Sequence, residues 1–250
     1  DMVIVVADPD PSRALQLQPA LKMLDDLGVP HAIFINKVDK SKGRLRDMLA
    51  ALQACSATPL VSRQIPLWNG EAAEGYIDLA LERAWRYRPG EPSEQIEIPE
   101  AERARETEAR FAMLEKVADH DDALLESLLS EEEPERERVM SDLAMELQSG
   151  LIVPVFLGSA ENGSGVRRLL KAMRHEMPDL SIAAGRVGAE GKCAHVLKTR
   201  HAGQAGRQTV VRVMSGELND GDQVVGANNT SERIAGVFTL HGENAAKIDS

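Results

Sequence analysis

The sequence predicts an α/β protein: a parallel sheet interrupted by an inserted α+β subdomain and followed by a partial β-barrel. Three observations predict it. The short apolar runs MVIVVA, HAIFI and IVPVFL are each followed by a loop and a helical stretch, the pattern of strands covered on both faces in a parallel sheet. Only 3% of the residues are aromatic, so Leu, Ala, Val and Ile carry the apolar content, which disfavours an aromatic-rich closed β architecture. Between the second and third runs the texture of the chain changes, and then it returns.

Taken in order, Met2 to Ala7 is the first strand. After ADPDP, Leu17, Leu21, Leu24 and Leu27 fall near helical spacing; Pro19 is tolerated only in a first turn, and Gly28 stands where a left-handed cap is wanted. HAIFI completes a βαβ crossover. Ligands of such sheets sit beyond the carboxyl ends of the strands, where Asn36 to Asp39 fall. Gly43 to Ala54 reads as the next helix, closing a first sheet block over 1–57. From Thr58 to Pro99, mixed stretches broken by Asn69-Gly70 and Pro89-Gly90 read as hairpins. Ala101 to Gly150 reads as acidic, amphipathic helix with a break near Pro134. Its expected buried face is Phe111, Leu114, Val117, Leu124, Leu125, Leu128 and Leu129. Residues 58–150 therefore form the inserted subdomain, and 151–178 resume the sheet with IVPVFL, the loop GSAENGSG and a helix from Val166 to Met177. A Gly- and Ala-rich linker over 179–190 leads to 191–250, where AHVLKT, QTVVRVMSG, DQVVGAN and RIAGVFTL read as short barrel strands.

At 250 residues and 43% hydrophobic content, two domains are expected. The formal charge of −11 repels polyanions, so nucleic acid could be met only through a local patch. Cys55 and Cys193 fit no metal or redox spacing and read as reduced thiols. No apolar run approaches the roughly 18 residues needed to span a bilayer, and no cleavable leader is evident, so a cytoplasmic protein is expected. The chain enters its first strand directly after Asp1, which reads as part of something longer.

The chemistry concentrates in two loops. Guanine presents N1–H and its exocyclic amino group as adjacent donors, and one carboxylate can accept both. Adenine lacks that pair and would leave the carboxylate unpaired, a discrimination of about 10⁴ or more. Asp39 suits that role. The Asn36 amide can reach base acceptors or fix the neighbouring loop, and the methylene stem of Lys37 can lie over the base with its ammonium outside. Ser159 and Ala160, after the later strand, could present backbone N–H groups to O6.

Asn36-Lys37-Val38-Asp39 and Ser159-Ala160-Glu161 resemble the two guanine-recognition motifs of the translational GTPases. The intervening block, from IPLWNGEAAEGYIDLALERAWRY through SGLIVPVFLGSAENGSGVRRLLKAM, resembles the elongation factor G branch, which carries a large insertion there. The tail GRQTVVRVMSGELNDGDQVVGANNTSERIAGVFTLHGENAAKI is similar to that family's second, β-barrel domain. The resemblance implies the carboxyl-terminal half of a P-loop-type GTPase domain, with GTP or GDP and Mg²⁺ as cofactors. It implies the ribosome, its RNA and its proteins, as partner, with translocation or recycling as the step served. ADPDPSRALQ and TRHAGQAGRQT depart from the family's usual segments and favour a paralogue of the main translocase. No G-x-x-x-x-G-K-[ST] phosphate loop occurs in these 250 residues, so this polypeptide is expected to be inactive by itself and no catalytic or metal-binding residue is assigned.

Several residues invite other readings. His120-Asp121-Asp122 reads as exposed helix face, since no further ligand is spaced to join it. Trp68 and Trp85 read as subdomain core. Arg200, His201, Arg207 and Arg212 are the candidates for an RNA-facing patch, with a solvated strand edge equally compatible. Two further functions compete with a GTP-hydrolysing factor: a non-catalytic GTP/GDP sensor that binds the ribosome or another partner, and a release- or resistance-type ribosomal GTPase. A monomer is the default, as no coiled coil is evident.

Overall fold

The computed structural model describes residues 2–41, 45–70, 72–88, 90–130, 132–201, 206–226, 229–241 and 244–248. It divides into two compact units, Asp1–Pro178 and Asp179–Ser250. The first begins with β1 (Val3–Ala7), a 3-10 turn (Pro11–Leu17), α1 (Gln18–Asp26), β2 (His31–Ile35), α2 (Leu45–Gln53) and β3 (Leu60–Ser62). An antiparallel meander follows, β4 (Gln64–Asn69), β5 (Ala72–Asp78), β6 (Arg83–Arg86) and β7 (Glu94–Ile96), and then α3 (Arg103–Ala118), α4 (Asp122–Leu129) and α5 (Arg136–Ser149). The chain returns through β8 (Val153–Leu157) and α6 (Val166–Glu176).

The parallel sheet has the order β1-β2-β8-β3, with Ile33 opposite Val155 and Leu60 opposite Val153. Residues 60–62, assigned from sequence to the insertion, thus pair within the parallel sheet, and the chain departs from the sheet at Ser62. Three residues were too few for a periodicity signal. The two central strands, β2 and β8, are buried at every position, as expected of strands with both faces covered. β1 is an edge strand with Val3 and Val6 exposed, so its apolar run does not mean that both faces are covered here. Leu21 and Leu24 of α1 and Met48 and Leu52 of α2 cover one face of the sheet, and Ala172 of α6 covers Ala32, Phe34 and Phe156 on the other. Burying each such leucine contributes about 2 kcal/mol. Gly28, with φ +59, ends the α1 segment in the left-handed conformation expected. The helix expected from Gly43 is described from Leu45, since 42–44 lie outside the described residues, as does Pro89 of the second hairpin signal.

The inserted helices bury Met113, Leu114, Val117, Leu124, Val139, Leu143 and Leu147, but Phe111, Leu125 and Leu129 are exposed, contrary to expectation. The reason lies in α3, whose buried face also takes Glu106 and Arg110. Arg110 donates to the Leu79 carbonyl at 2.6 Å, so a charged residue occupies a position that apolar periodicity gives to its neighbours. A buried charge network ties the insertion to the sheet. Arg63 donates to both oxygens of Glu176, at 2.5 and 3.2 Å, Arg168 pairs with Asp78, and both guanidinium groups lie over the Phe156 ring. Two cations balance two carboxylates, so removing any one of the four would strand a buried charge.

The second unit comprises α7 (Leu180–Arg186), β9 (Cys193–His201), β10 (Arg207–Ser215), β11 (Gln223–Val225), β12 (Ser231–Arg233), β13 (Val237–His241) and β14 (Asn244–Ile248). Its strands form three antiparallel pairs, β9–β10, β11–β12 and β13–β14. The stretch expected to be a linker contains a helix: Asp179 accepts from the Ser181 and Ile182 amides and so caps α7, a signal that the Gly and Ala content masked.

Candidate functional site

The two sequence motifs meet at the carboxyl edge of the parallel sheet because β2 and β8 are neighbours and end in register, Ile35 opposite Leu157. The backbone stitches the loops that follow. Gly158 N–H donates to the Ile35 carbonyl at 3.0 Å, and Val38 N–H donates back to the Gly158 carbonyl at 3.1 Å. Asn36 adds the side-chain link. Its Oδ1 accepts from its neighbour Lys37 N–H and from Ala160 N–H, each at 2.8 Å, so one amide oxygen joins residues 124 apart in sequence.

Asn36 therefore fixes the neighbouring loop, one of the two roles open to it from sequence. The amides expected to reach a base O6 are engaged elsewhere: Ser159 N–H donates to the Ser164 carbonyl at 2.9 Å, and Ala160 N–H is held by Asn36. A loop this tight must satisfy its own donors first. Its tightness is set by glycine. A Cβ on Gly158 would lie 2.3 Å from the Ser164 carbonyl oxygen, and one on Gly165, with φ +74, would lie 2.2 Å from the Leu157 carbonyl oxygen.

Lys37 adopts a left-handed backbone, φ 59, and its half-exposed ammonium lies 3.4 Å from Asp8 Oδ2. Asp39 Oδ1 is buried with no hydrogen-bond partner, whereas Oδ2 accepts from Asn162 Nδ2 at 3.3 Å. A buried carboxylate oxygen with no donor is costly, and a donor supplied from outside the chain would relieve it. Lys40 Nζ pairs with Glu161 at 2.7 Å across the two loops, which raises the Lys40 ammonium above its ordinary value. Neither Asn162 nor the Lys40–Glu161 pair was found from sequence. The only signal was their adjacency to the motifs, since a residue at a turn tip shows its direction only when the turn is built.

Val38 lines a small apolar pocket together with Ile35, Leu45, Met48, Trp68 and Leu157. Trp68 thus packs against the core of the parallel sheet. Tyr76 and Tyr87, with ring centroids 5.8 Å apart, lie nearby. Burial first, then Tyr76 and the Asp39 carboxylate, push the Tyr87 phenol far above its usual range. Among the described residues, no group of three or more His, Cys, Asp or Glu side chains could hold a metal ion, and no helix is long and apolar enough to cross a membrane. Cys55 and Cys193 are free thiols. The four candidates for an RNA-facing patch divide between the two faces of the β9–β10 pair, Arg200 and Arg212 on one and His201 and Arg207 on the other. Arg207 lies opposite His201 and pairs with Glu232 at 2.7 Å.

A parallel α/β sheet with polar loops beyond two adjacent strands has the architecture on which nucleotide-binding domains are built. Residues 1–179 match the sequence profile of the elongation factor Tu GTP binding domain, and the chain belongs to that family of translational GTPases. It is 39% identical over 99% of its length to an elongation factor G-like protein of Synechocystis, of which it covers 37%. It is 27% identical over its whole length to elongation factor G of Fervidobacterium nodosum, of which it covers 38%. A crystal structure of a Thermus thermophilus protein superposes with a TM-score of 0.76 at 27% identity, over 93% of this chain and 34% of that one. The chain thus spans a little over a third of the length of the curated relatives it matches.

Proposed function

We infer that this chain is the guanine-reading part of an elongation factor G-like GTPase that couples GTP hydrolysis to ribosomal translocation or recycling. The observation that supports it most directly is the Asp39 carboxylate, held between two stitched loops with one buried oxygen free of any donor. Guanine offers the adjacent N–H donors that such a carboxylate requires. Asn36 aligns the loops, Val38 anchors Asp39 in the core, and the Lys37 stem supplies a face for the base. Ser159 and Ala160 shape the opposing wall, while their amides hold the wall closed.

GTP or GDP and Mg²⁺ are the proposed cofactors of the whole protein, and the RNA and proteins of the ribosome its partners, met in the cytoplasm by a monomer. The guanine base fits the residues present. Among the described residues no group of three or more His, Cys, Asp or Glu side chains could hold the metal, so its ligands are proposed to come from other parts of the whole protein. This polypeptide carries base recognition without a phosphate loop and is proposed to be inactive alone.

Ribosome-dependent nucleotide hydrolysis by the natural protein tests the reading. GTP turnover that rises when ribosomes are added, with ATP untouched, is expected. GTP binding with no turnover in the presence of ribosomes would replace the hydrolysing factor with a sensor.

A further inference from the structure

Residues 160–163 make a tight turn: Gly163 N–H donates to the Ala160 carbonyl at 3.2 Å, and Gly163 takes a φ of +70. The feet of the loop are fixed, because Ser159 and Ser164 are bridged and both are buried. Its tip is not. Glu161 and Asn162 are exposed and reach the other loop, Glu161 to Lys40 at 2.7 Å and Asn162 to Asp39 at 3.3 Å. A rigid base with an exposed, reaching tip can lift without unfolding what lies beneath it.

We propose that Glu161 and Asn162, fastened by Lys40, form a strap across the guanine-reading edge and set how fast nucleotide enters and leaves. Asn162 donates an amide N–H to the carboxylate that the N–H groups of a guanine also need, so the base and Asn162 compete for Asp39 Oδ2. The strap lifts for each exchange. Its fastening is electrostatic and exposed, with side chains 60% and 74% accessible, so it is weak and sensitive to salt. Releasing it therefore speeds both directions of exchange and leaves the equilibrium affinity less affected than either rate. Lys40, Glu161 and Asn162 are positioning residues rather than catalytic ones.

Rapid-mixing kinetics of a fluorescent GDP analogue with the natural protein test the strap, which rests on the base-binding reading above. At low ionic strength Lys40→Gln and Glu161→Gln should each accelerate association and dissociation about two- to fivefold, the range set by an exposed ion pair. The double variant should match the singles, and the differences should vanish at high salt. Asn162→Ala should accelerate association at every salt concentration, since Asn162 holds Asp39 Oδ2 only while the base is absent. Unchanged rates in Glu161→Gln, additive effects in the double variant, or an unchanged association rate in Asn162→Ala would each overturn the strap. A natural protein that prefers GDP to ADP while the variants behave like it sinks the strap alone. No preference for GDP sinks the base assignment and the strap with it.

Discussion

Asn36 holds the site together with a single oxygen, since Lys37 and Ala160 both donate to it. Asn36→Ala removes two hydrogen bonds at a solvent-reachable edge and is expected to destabilise the fold by about 1–2 kcal/mol. GDP affinity should fall by more than the stability loss explains, because the Ala160 loop that walls the proposed base site is released from Asn36. Urea unfolding and GDP titration of the same variant check both. A second residue governs the response to pH. Glu146 is fully buried with neither oxygen partnered, and His120 lies 3.9 Å away. Burial, with the charges of Asp142, Asp121 and Asp119 beside it, pushes its carboxyl up to about 8. A carboxyl raised in the folded state binds its proton more tightly there than when unfolded. Its contribution is therefore present below pH 4.5 and lost as pH rises through 8. Glu146→Gln should flatten this slope in thermal unfolding between pH 5 and 9, and a slope equal to that of the natural protein would show that Glu146 does not set it. The residues proposed to read the base were legible because Asn-Lys-x-Asp places particular atoms at fixed spacing. Asn162 and the engaged amides of Ser159 and Ala160 were not, because their roles depend on where a turn aims its tip.

Among the elements, the loop from Gly158 to Gly165 bears the tightest geometric demands. Gly165→Ala would combine a left-handed backbone with a contact of 2.2 Å to a carbonyl oxygen, and it is expected to cost about 2–3 kcal/mol. Gly163→Ala shares the positive φ but meets nothing within 4 Å, so it should cost about 1 kcal/mol. Paired denaturant melts separate the two, and equal losses would refute the contact. The buried strands β2 and β8 were legible from their apolar runs, and α1 from its leucine spacing and Gly28. The buried face of α3 was misread at Phe111 because Arg110 and Glu106 are interior, and α7 was missed because its cap, Asp179, precedes a run of small residues. In each case a specific polar contact outweighed composition.

At the scale of the whole molecule, the insertion leaves the parallel sheet after β3 and returns in β8, whose neighbour is β2, so a long detour still brings the two motif loops side by side. The buried Arg63–Glu176 and Arg168–Asp78 pairs lock the insertion to α6, the helix that follows the second loop. This architecture was legible as an alternation of textures, but the position of β8 between β2 and β3 was not, since sheet order is a three-dimensional choice. The central claim is that Asp39 reads a guanine edge, and nucleotide selectivity tests it most directly. GDP, ADP and xanthosine diphosphate affinities are compared for the natural protein and for Asp39→Asn. The natural carboxylate should favour GDP over ADP by about 10⁴ or more. The amide of the variant can donate to the carbonyl that xanthine carries in place of the amino group, and should shift preference to xanthosine diphosphate. Equal affinities in the natural protein, or a variant that still prefers GDP, would contradict the assignment of Asp39.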